Sequence, residues 1–149
     1  MTDKPEALFA VNLSRTIDSP PEPIFRAFTD PERYRRWFPT KQLIMQPVVN
    51  GLYFLEVEHA SRLWAHYGRY LEVTPARLLK FTWMSEATHG KETVVTVELV
   101  PEGQGKKTVL RLSHTGIPDS EIGRSHLGGW TQITEAIAKS TESGSHSGA

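Results

Sequence analysis

Hydrophobic and polar positions alternate through most of this chain, and this alternation predicts a series of β-strands. Apolar residues recur at every second position in segments that turn-forming residues separate. Short turns between such segments are typical of antiparallel strands, and Asn50-Gly51 predicts one hairpin turn. The predicted strands are Phe9–Ile17, Leu43–Val48, Leu52–Glu58, Leu63–Val73, Leu78–Met84, Thr93–Val100 and Lys107–His114.

The last periodic segment has a different spacing, which predicts a long helix from Asp119 to Lys139. Its apolar face consists of Ile122, His126, Trp130, Ile133 and Ile137, at the steps of three and four that stack side chains on one helix face. Gly128 and Gly129 lie inside this helix, where each glycine costs roughly 1 kcal/mol relative to alanine. We therefore expect another surface to approach the helix backbone closely at these two glycines.

Two short amphipathic helices are predicted between the first and second strands, and they complete the element order. Prolines at Pro20, Pro21, Pro31 and Pro39 mark where these helices begin and end. The resulting architecture is α+β, with a curved antiparallel sheet of about six to seven strands wrapped around the C-terminal helix. We expect one domain over residues 9–140, a flexible N-terminus over 1–8 and a disordered tail over 141–149.

Composition excludes several classes of function. Lysine plus arginine equals aspartate plus glutamate at 17 each, so we expect no nucleic-acid binding. The chain has no cysteine and no apolar run near the ~20 residues of a membrane span, and residues 1–9 do not resemble a signal peptide. A cytoplasmic protein is expected. The six histidines lack metal-binding spacing and no phosphate loop is present, so no metal and no cofactor are predicted.

Three motifs carry a family resemblance. The stretch from Ile17 to Pro31 resembles the opening motif of the START-like, helix-grip superfamily, often called SRPBCC. Tyr67–Trp83 and Thr108–Trp130 are similar to the branch named for the activator of heat-shock-protein-90 ATPase. The resemblance runs from about Val11 to Ala138 and implies the helix-grip fold, in which a cavity lies between the sheet and the last helix.

Two histidines are the candidate chemical groups of this cavity. His114 shares its strand parity with Leu110 and Leu112, and His126 lies on the helix face one turn before Trp130. Each could be a hydrogen-bonded core histidine, a polar anchor for a ligand or an acid–base group, because the imidazole pKa lies near neutrality. Both are taken as catalytic candidates as well as cavity residues.

The remaining predicted cavity residues are aromatic or cationic. Trp83 and Trp130 are expected to be core residues that also wall the cavity, and Trp37 is expected to seal one end of it. Arg15 and Arg69 share the numerical parity of inward apolar residues, so either could meet an acidic ligand. An ion pair with Glu56 or Glu98 is the structural alternative, and a β-bulge would reverse the face of either arginine.

Three functions stay open at this stage. The first is a non-catalytic binder of a lipophilic or aromatic small molecule, since apolar cavities with a few polar groups are the usual design of such sites. The second is a polyketide cyclase-like or hydrolase-like enzyme that uses a cavity histidine, as the superfamily resemblance implies. The third is an interaction module that contacts a chaperone. A fold alone does not decide among these three functions. Whether the protein forms a homodimer is also left open.

Overall fold

The computed structural model describes the backbone of residues 7–146 and the side chains of residues 7–142. In this part of the chain seven antiparallel strands form one open sheet in the order β1-β7-β6-β5-β4-β3-β2. Successive strands from β2 through β7 are joined as hairpins, whereas β1 pairs with β7. The strands are β1 Leu8–Ile17, β2 Gln42–Met45, β3 Leu52–His59, β4 Arg62–Thr74, β5 Leu78–Ser85, β6 Thr93–Glu102 and β7 Lys107–Pro118.

Three helices accompany the sheet, as predicted: α1 Pro21–Thr29, α2 Pro31–Trp37 and α3 Glu121–His146. Asp30 ends α1, and its side chain accepts a hydrogen bond from the backbone N–H of Glu32, which caps α2. The order of strands and helices confirms the helix-grip fold expected from the sequence. A short 3₁₀ turn, Glu86–Thr88, follows β5.

The last helix continues beyond residue 140, where the predicted domain ended, and reaches His146. Residues 1–6 of the predicted flexible N-terminus and residues 147–149 of the predicted tail lie outside the described residues. None of the helices described here is long and apolar enough to cross a membrane.

The helix α3 contributes its core side chains from its later turns. Trp130, Ile137 and Ala138 pack into the core against the inward faces of the sheet and α1. In contrast, Ile122 of the predicted apolar face is 36% exposed, and Leu127 is 47% exposed. Beside these exposed side chains, the first turns of α3 border a gap that contains the candidate site.

The prediction that another surface approaches α3 closely at Gly128 and Gly129 is wrong. A Cβ atom built on either glycine meets no heavy atom within 4 Å. The close approach occurs instead at Gly123, where a Cβ would lie 2.1 Å from the carbonyl oxygen of Pro118. The chain turns from β7 into α3 between Pro118 and Gly123, so the first turn of the helix presses on the end of the strand.

Two further local predictions need correction. Strand β2 ends at Met45, and residues 46–51 form a longer loop than the predicted Asn50-Gly51 turn, since Pro47 has no N–H to continue the ladder. In β4 the register shifts between Tyr70 and Glu72, which marks a β-bulge. The bulge reverses the alternation, so Arg69 lies on the outer face although it shares parity with Val73.

Candidate functional site

A pocket of about 950 Å³ lies between the first turns of α3 and one end of strands β3 to β5. Strands contribute Val57, Trp64, His66 and Trp83, and α3 contributes Ile122, His126, Gly129, Trp130 and Ile133. The end of α2 adds Phe38 and Pro39. The walls are thus mainly aromatic and aliphatic, and three histidines, His59, His66 and His126, also line the pocket.

His114 lies fully buried behind the pocket, within a chain of hydrogen bonds. The indole Nε1–H of Trp130 donates to His114 Nδ1 over 2.9 Å. Since an indole nitrogen can only donate, Nδ1 must be the acceptor and Nε2 must carry the proton of the neutral ring. His114 Nε2 lies 2.6 Å from Oγ1 of Thr93, whose hydroxyl in turn donates to the carbonyl oxygen of Trp83.

This arrangement keeps His114 neutral and leaves it no free nitrogen. Burial, and to a smaller extent the neighbouring His126, lower the pKa of His114 to about 3. The imidazole is not among the residues that line the pocket. The geometry therefore matches the alternative of a hydrogen-bonded core histidine, which orients Trp130 at the pocket wall.

His126 is the histidine of α3 that does line the pocket. Its Nδ1 lies 2.7 Å from the carbonyl oxygen of Gly123, one turn earlier in the helix. A carbonyl only accepts, so Nδ1 donates and the lone pair of the neutral ring resides on Nε2. Burial lowers the pKa of His126, while the bond to Gly123 opposes this shift. His126 thus offers a neutral acceptor at the pocket.

Two buried polar atoms in the pocket wall have no hydrogen-bond partner. They are Nε1 of Trp83 and Nδ1 of His66, whose rings lie 4.8 Å apart between centroids. Burial is the largest cause that lowers the pKa of His66 to about 4, and His126 contributes to the same shift. An unsatisfied buried polar group costs about 1–3 kcal/mol.

The other predicted site residues lie elsewhere. Trp37 is buried and donates from Nε1 to the carbonyl oxygen of Ala27, and it does not line the pocket, although the adjacent Phe38 does. Arg15 is exposed on β1. Arg69 is exposed on β4, where it pairs with Glu92 rather than with Glu56 or Glu98. Of the seven predicted residues the pocket brings together Trp83, His126 and Trp130.

Among the pocket residues that sequence reasoning missed are Glu58, Trp64, His66 and Glu121. One signal for Trp64 and His66 was present in the sequence. They share even parity with Tyr70, a large buried aromatic before the bulge, so all three point inward. The two glutamates gave no such signal, because exposed carboxylates at a pocket mouth look like any solvated side chains. No group of side chains in the described part of the chain could hold a metal ion.

The open antiparallel sheet gripping a C-terminal helix defines a helix-grip protein, with its pocket between the two. The sequence profile of the family described as "Activator of Hsp90 ATPase homolog 1-like protein" matches residues 18–142. The chain belongs to this family. The match confirms the resemblance that the sequence motifs suggested.

Solved structures with this fold come from several organisms. A protein from Chromobacterium violaceum is 27% identical with a TM-score of 0.74, and the match covers 90% of this chain and 98% of that one. A Mesorhizobium loti protein is 25% identical with a TM-score of 0.69, covering 88% and 95%. An Hsp90 activator from Plasmodium falciparum is 24% identical with a TM-score of 0.69, covering 83% and 88%. No protein with a curated description matches this chain.

Proposed function

We propose that this domain binds a lipophilic small molecule in the pocket between α3 and strands β3 to β5. The observation that carries the proposal is a pocket of about 950 Å³ whose wall includes three indole rings, those of Trp64, Trp83 and Trp130. Pockets of ~300–1,000 Å³ with mainly apolar walls and a few polar groups are typical of small-molecule sites.

The pocket is best tested with two neighbouring glycines of α3. Gly129 lines the pocket and Gly128 does not, yet a Cβ on either meets nothing within 4 Å. Leucine is a better helix former than glycine, so neither Gly129→Leu nor Gly128→Leu should destabilise the fold. The leucine at position 129 would occupy pocket volume, whereas the leucine at position 128 would not.

Binding is measured by native mass spectrometry of freshly purified protein and by titration with Nile red, an uncharged lipophilic dye. We expect a ligand adduct and dye binding for the wild type and for Gly128→Leu. For Gly129→Leu we expect loss of the adduct and at least about tenfold weaker dye binding, since the occupied volume excludes the ligand. Equal behaviour of all three proteins would refute the pocket as the binding site.

A second candidate function is acid–base catalysis, which the state of His126 favours. Its Nε2 carries a lone pair at neutral pH and lines the pocket, whereas both nitrogens of His114 are engaged. A positioned imidazole typically contributes 10²- to 10⁴-fold to a rate. Conversion of a co-purified ligand by the wild type, with loss of conversion in a folded His126→Gln variant, would establish an enzyme.

A third candidate function is contact with an Hsp90-type chaperone through the outer face of the sheet. On that face Ile44, Phe54 and Tyr67 lie in register across three neighbouring strands, and Ile44 is 65% exposed. The family description supports this candidate. If it is correct, Tyr67→Ser should abolish binding to purified Hsp90 while the pocket variant Gly129→Leu retains it. The opposite result would place the contact at the pocket.

A further inference from the structure

The charged side chains at the pocket are all acidic. Glu58 at the end of β3 and Glu121 at the start of α3 line the pocket, and both are exposed. Neither makes an ion pair among the described residues. No lysine or arginine of the described chain lines the pocket. The pocket mouth therefore carries two carboxylates whose charge no basic side chain balances.

The basic groups nearby are already committed. The guanidinium of Arg62 stacks 4.1 Å over the ring of Trp64, and it pairs with Glu86 outside the pocket. Arg124 pairs with Asp119 at the start of α3. The helix start would itself favour an anion, but Ser120 Oγ already accepts from the N–H of Gly123, and Glu121 lies in the same turn.

Hydrogen-bond acceptors line the mouth, beside the hydroxyl groups of Ser120 and Ser125 and the ring of His59. The carboxylates accept only, and His126 Nε2 accepts because Nδ1 is bound to Gly123. Burial lowers the pKa of His66, His114 and His126 together, so these rings supply no positive charge at neutral pH. An anionic ligand would be repelled by the carboxylates and would find no cation to pair with.

We propose that the pocket selects lipophilic molecules that donate hydrogen bonds at its mouth, with amines preferred to alcohols, and that it rejects carboxylates and other anions. This inference rests on the proposed small-molecule function of the pocket. The apolar body of the ligand packs against the indoles of Trp64, Trp83 and Trp130, and its amine lies between His126 and the two glutamates. An ammonium group also gains from nearby aromatic faces.

The test compares four probes that share one ring system: 1-methylnaphthalene, 1-naphthylmethylamine, 1-naphthalenemethanol and 1-naphthoate. Each probe displaces Nile red from the wild-type protein at pH 7.5 and low salt. We expect the amine to bind about tenfold or more tightly than naphthoate, with the alcohol between them, because each exposed carboxylate changes affinity by about two- to fivefold. The advantage of the amine should shrink in added salt.

Charge-neutralising variants locate the effect. Glu58→Gln and Glu121→Gln should each weaken amine binding by about two- to fivefold and leave methylnaphthalene unchanged. Glu102→Gln is the matched control: Glu102 is exposed at the far end of β6, where it pairs in register with Lys107, and it does not line the pocket. That control should leave the order and the affinities of the probes unchanged.

The outcomes separate this inference from the function on which it rests. Naphthoate binding as tightly as the amine, or equal effects of Glu102→Gln and the two pocket variants, would overturn the charge selection while the pocket still binds ligands. Failure of all four probes, including the uncharged methylnaphthalene, would overturn the small-molecule function itself. An amine preference that Glu58→Gln and Glu121→Gln both reduce would support the inference.

Discussion

His114 and His126 lie edge to face with ring centroids 5.0 Å apart, yet their hydrogen bonds fix them in opposite tautomers. Trp130 donates to Nδ1 of His114, so the proton of that ring is on Nε2. His126 donates from Nδ1 to Gly123, so its Nε2 is free. Of these two neighbouring rings, His114 is hydrogen-bonded within the core and His126 faces the pocket.

The hydrogen bond between Trp130 and His114 should make a measurable contribution to stability. His114→Leu leaves the indole N–H of Trp130 buried without an acceptor, and we expect the free energy of unfolding to fall by about 2–4 kcal/mol. Trp130→Phe removes the donor instead. Urea denaturation of both single variants and the double variant should give a coupling energy of about 1 kcal/mol. Strictly additive losses would contradict a direct bond between the two side chains.

The buried histidines should make stability depend on pH. The pKa values of His114 and His66 in the folded protein are about 3 and about 4, below the ordinary value of 6.5. Below pH 6.5 the unfolded chain binds protons that the folded protein does not, so stability is full above pH 6.5 and falls as the pH decreases towards 4. Each histidine contributes a slope of up to about 1.4 kcal/mol per pH unit.

Urea unfolding at pH 7.5, 6.0 and 5.0 measures this slope. His66→Phe removes one titrating group but keeps an aromatic ring beside Trp83, so the decline of its unfolding free energy with falling pH should be shallower. We expect the difference to approach about 1.4 kcal/mol per pH unit. A variant with the wild-type slope would show that His66 does not stay neutral in the folded protein.

Alanine substitutions at two glycines of α3 should change the free energy of unfolding in opposite directions. Gly128→Ala should raise the free energy of unfolding by about 0.5–1 kcal/mol, because alanine is the better helix former and its Cβ meets nothing. Gly123→Ala should lower it by about 1–3 kcal/mol, since the new Cβ would lie 2.1 Å from the carbonyl oxygen of Pro118. Thermal and urea unfolding check both values. A stabilised Gly123→Ala would contradict the close approach.

The strands and the long helix could be predicted because their buried faces repeat with fixed periods. Val95, Val97 and Leu99 alternate along β6, and all three are buried. Trp130 and Ile137 recur at helical spacing, and both are in the core. Such periods are local properties of the chain, so the sequence expresses them directly.

The site was harder to predict because it depends on how the elements are placed. The bulge near Leu71 moves Arg69 to the outer face, and parity alone cannot locate a bulge. Gly128 and Gly129 suggested a tight contact, but open space surrounds both glycines, and Gly129 lines the pocket. A pair of glycines fits a helix that packs closely against another surface, and it fits equally a helix that borders a pocket. Only the position of α3 relative to the strands distinguishes them.

Substitution of His126 distinguishes a carrier from a catalyst. If the pocket stores a ligand, His126→Gln replaces the fixed imidazole acceptor with a flexible amide, and affinity should fall by about 0.5–1.5 kcal/mol. Stability should hardly change, because the ring is only partly buried and its partner is a carbonyl of its own helix. His114→Gln should do the reverse: it disturbs the bond to Trp130 and lowers stability by at least about 1 kcal/mol, with a smaller effect on affinity.

Calorimetric titration with 1-naphthylmethylamine or the co-purified ligand measures the affinity of both variants, and urea unfolding measures their stability. We expect His126→Gln to bind more weakly at wild-type stability and the ligand to stay chemically unchanged on prolonged incubation with the wild type. Turnover by the wild type that falls by 10²-fold or more in His126→Gln, at unchanged stability, would replace the carrier with an enzyme that uses this histidine as its acid–base group. If His114→Gln weakened binding more than His126→Gln at equal stability, the division of roles between the two rings would be wrong.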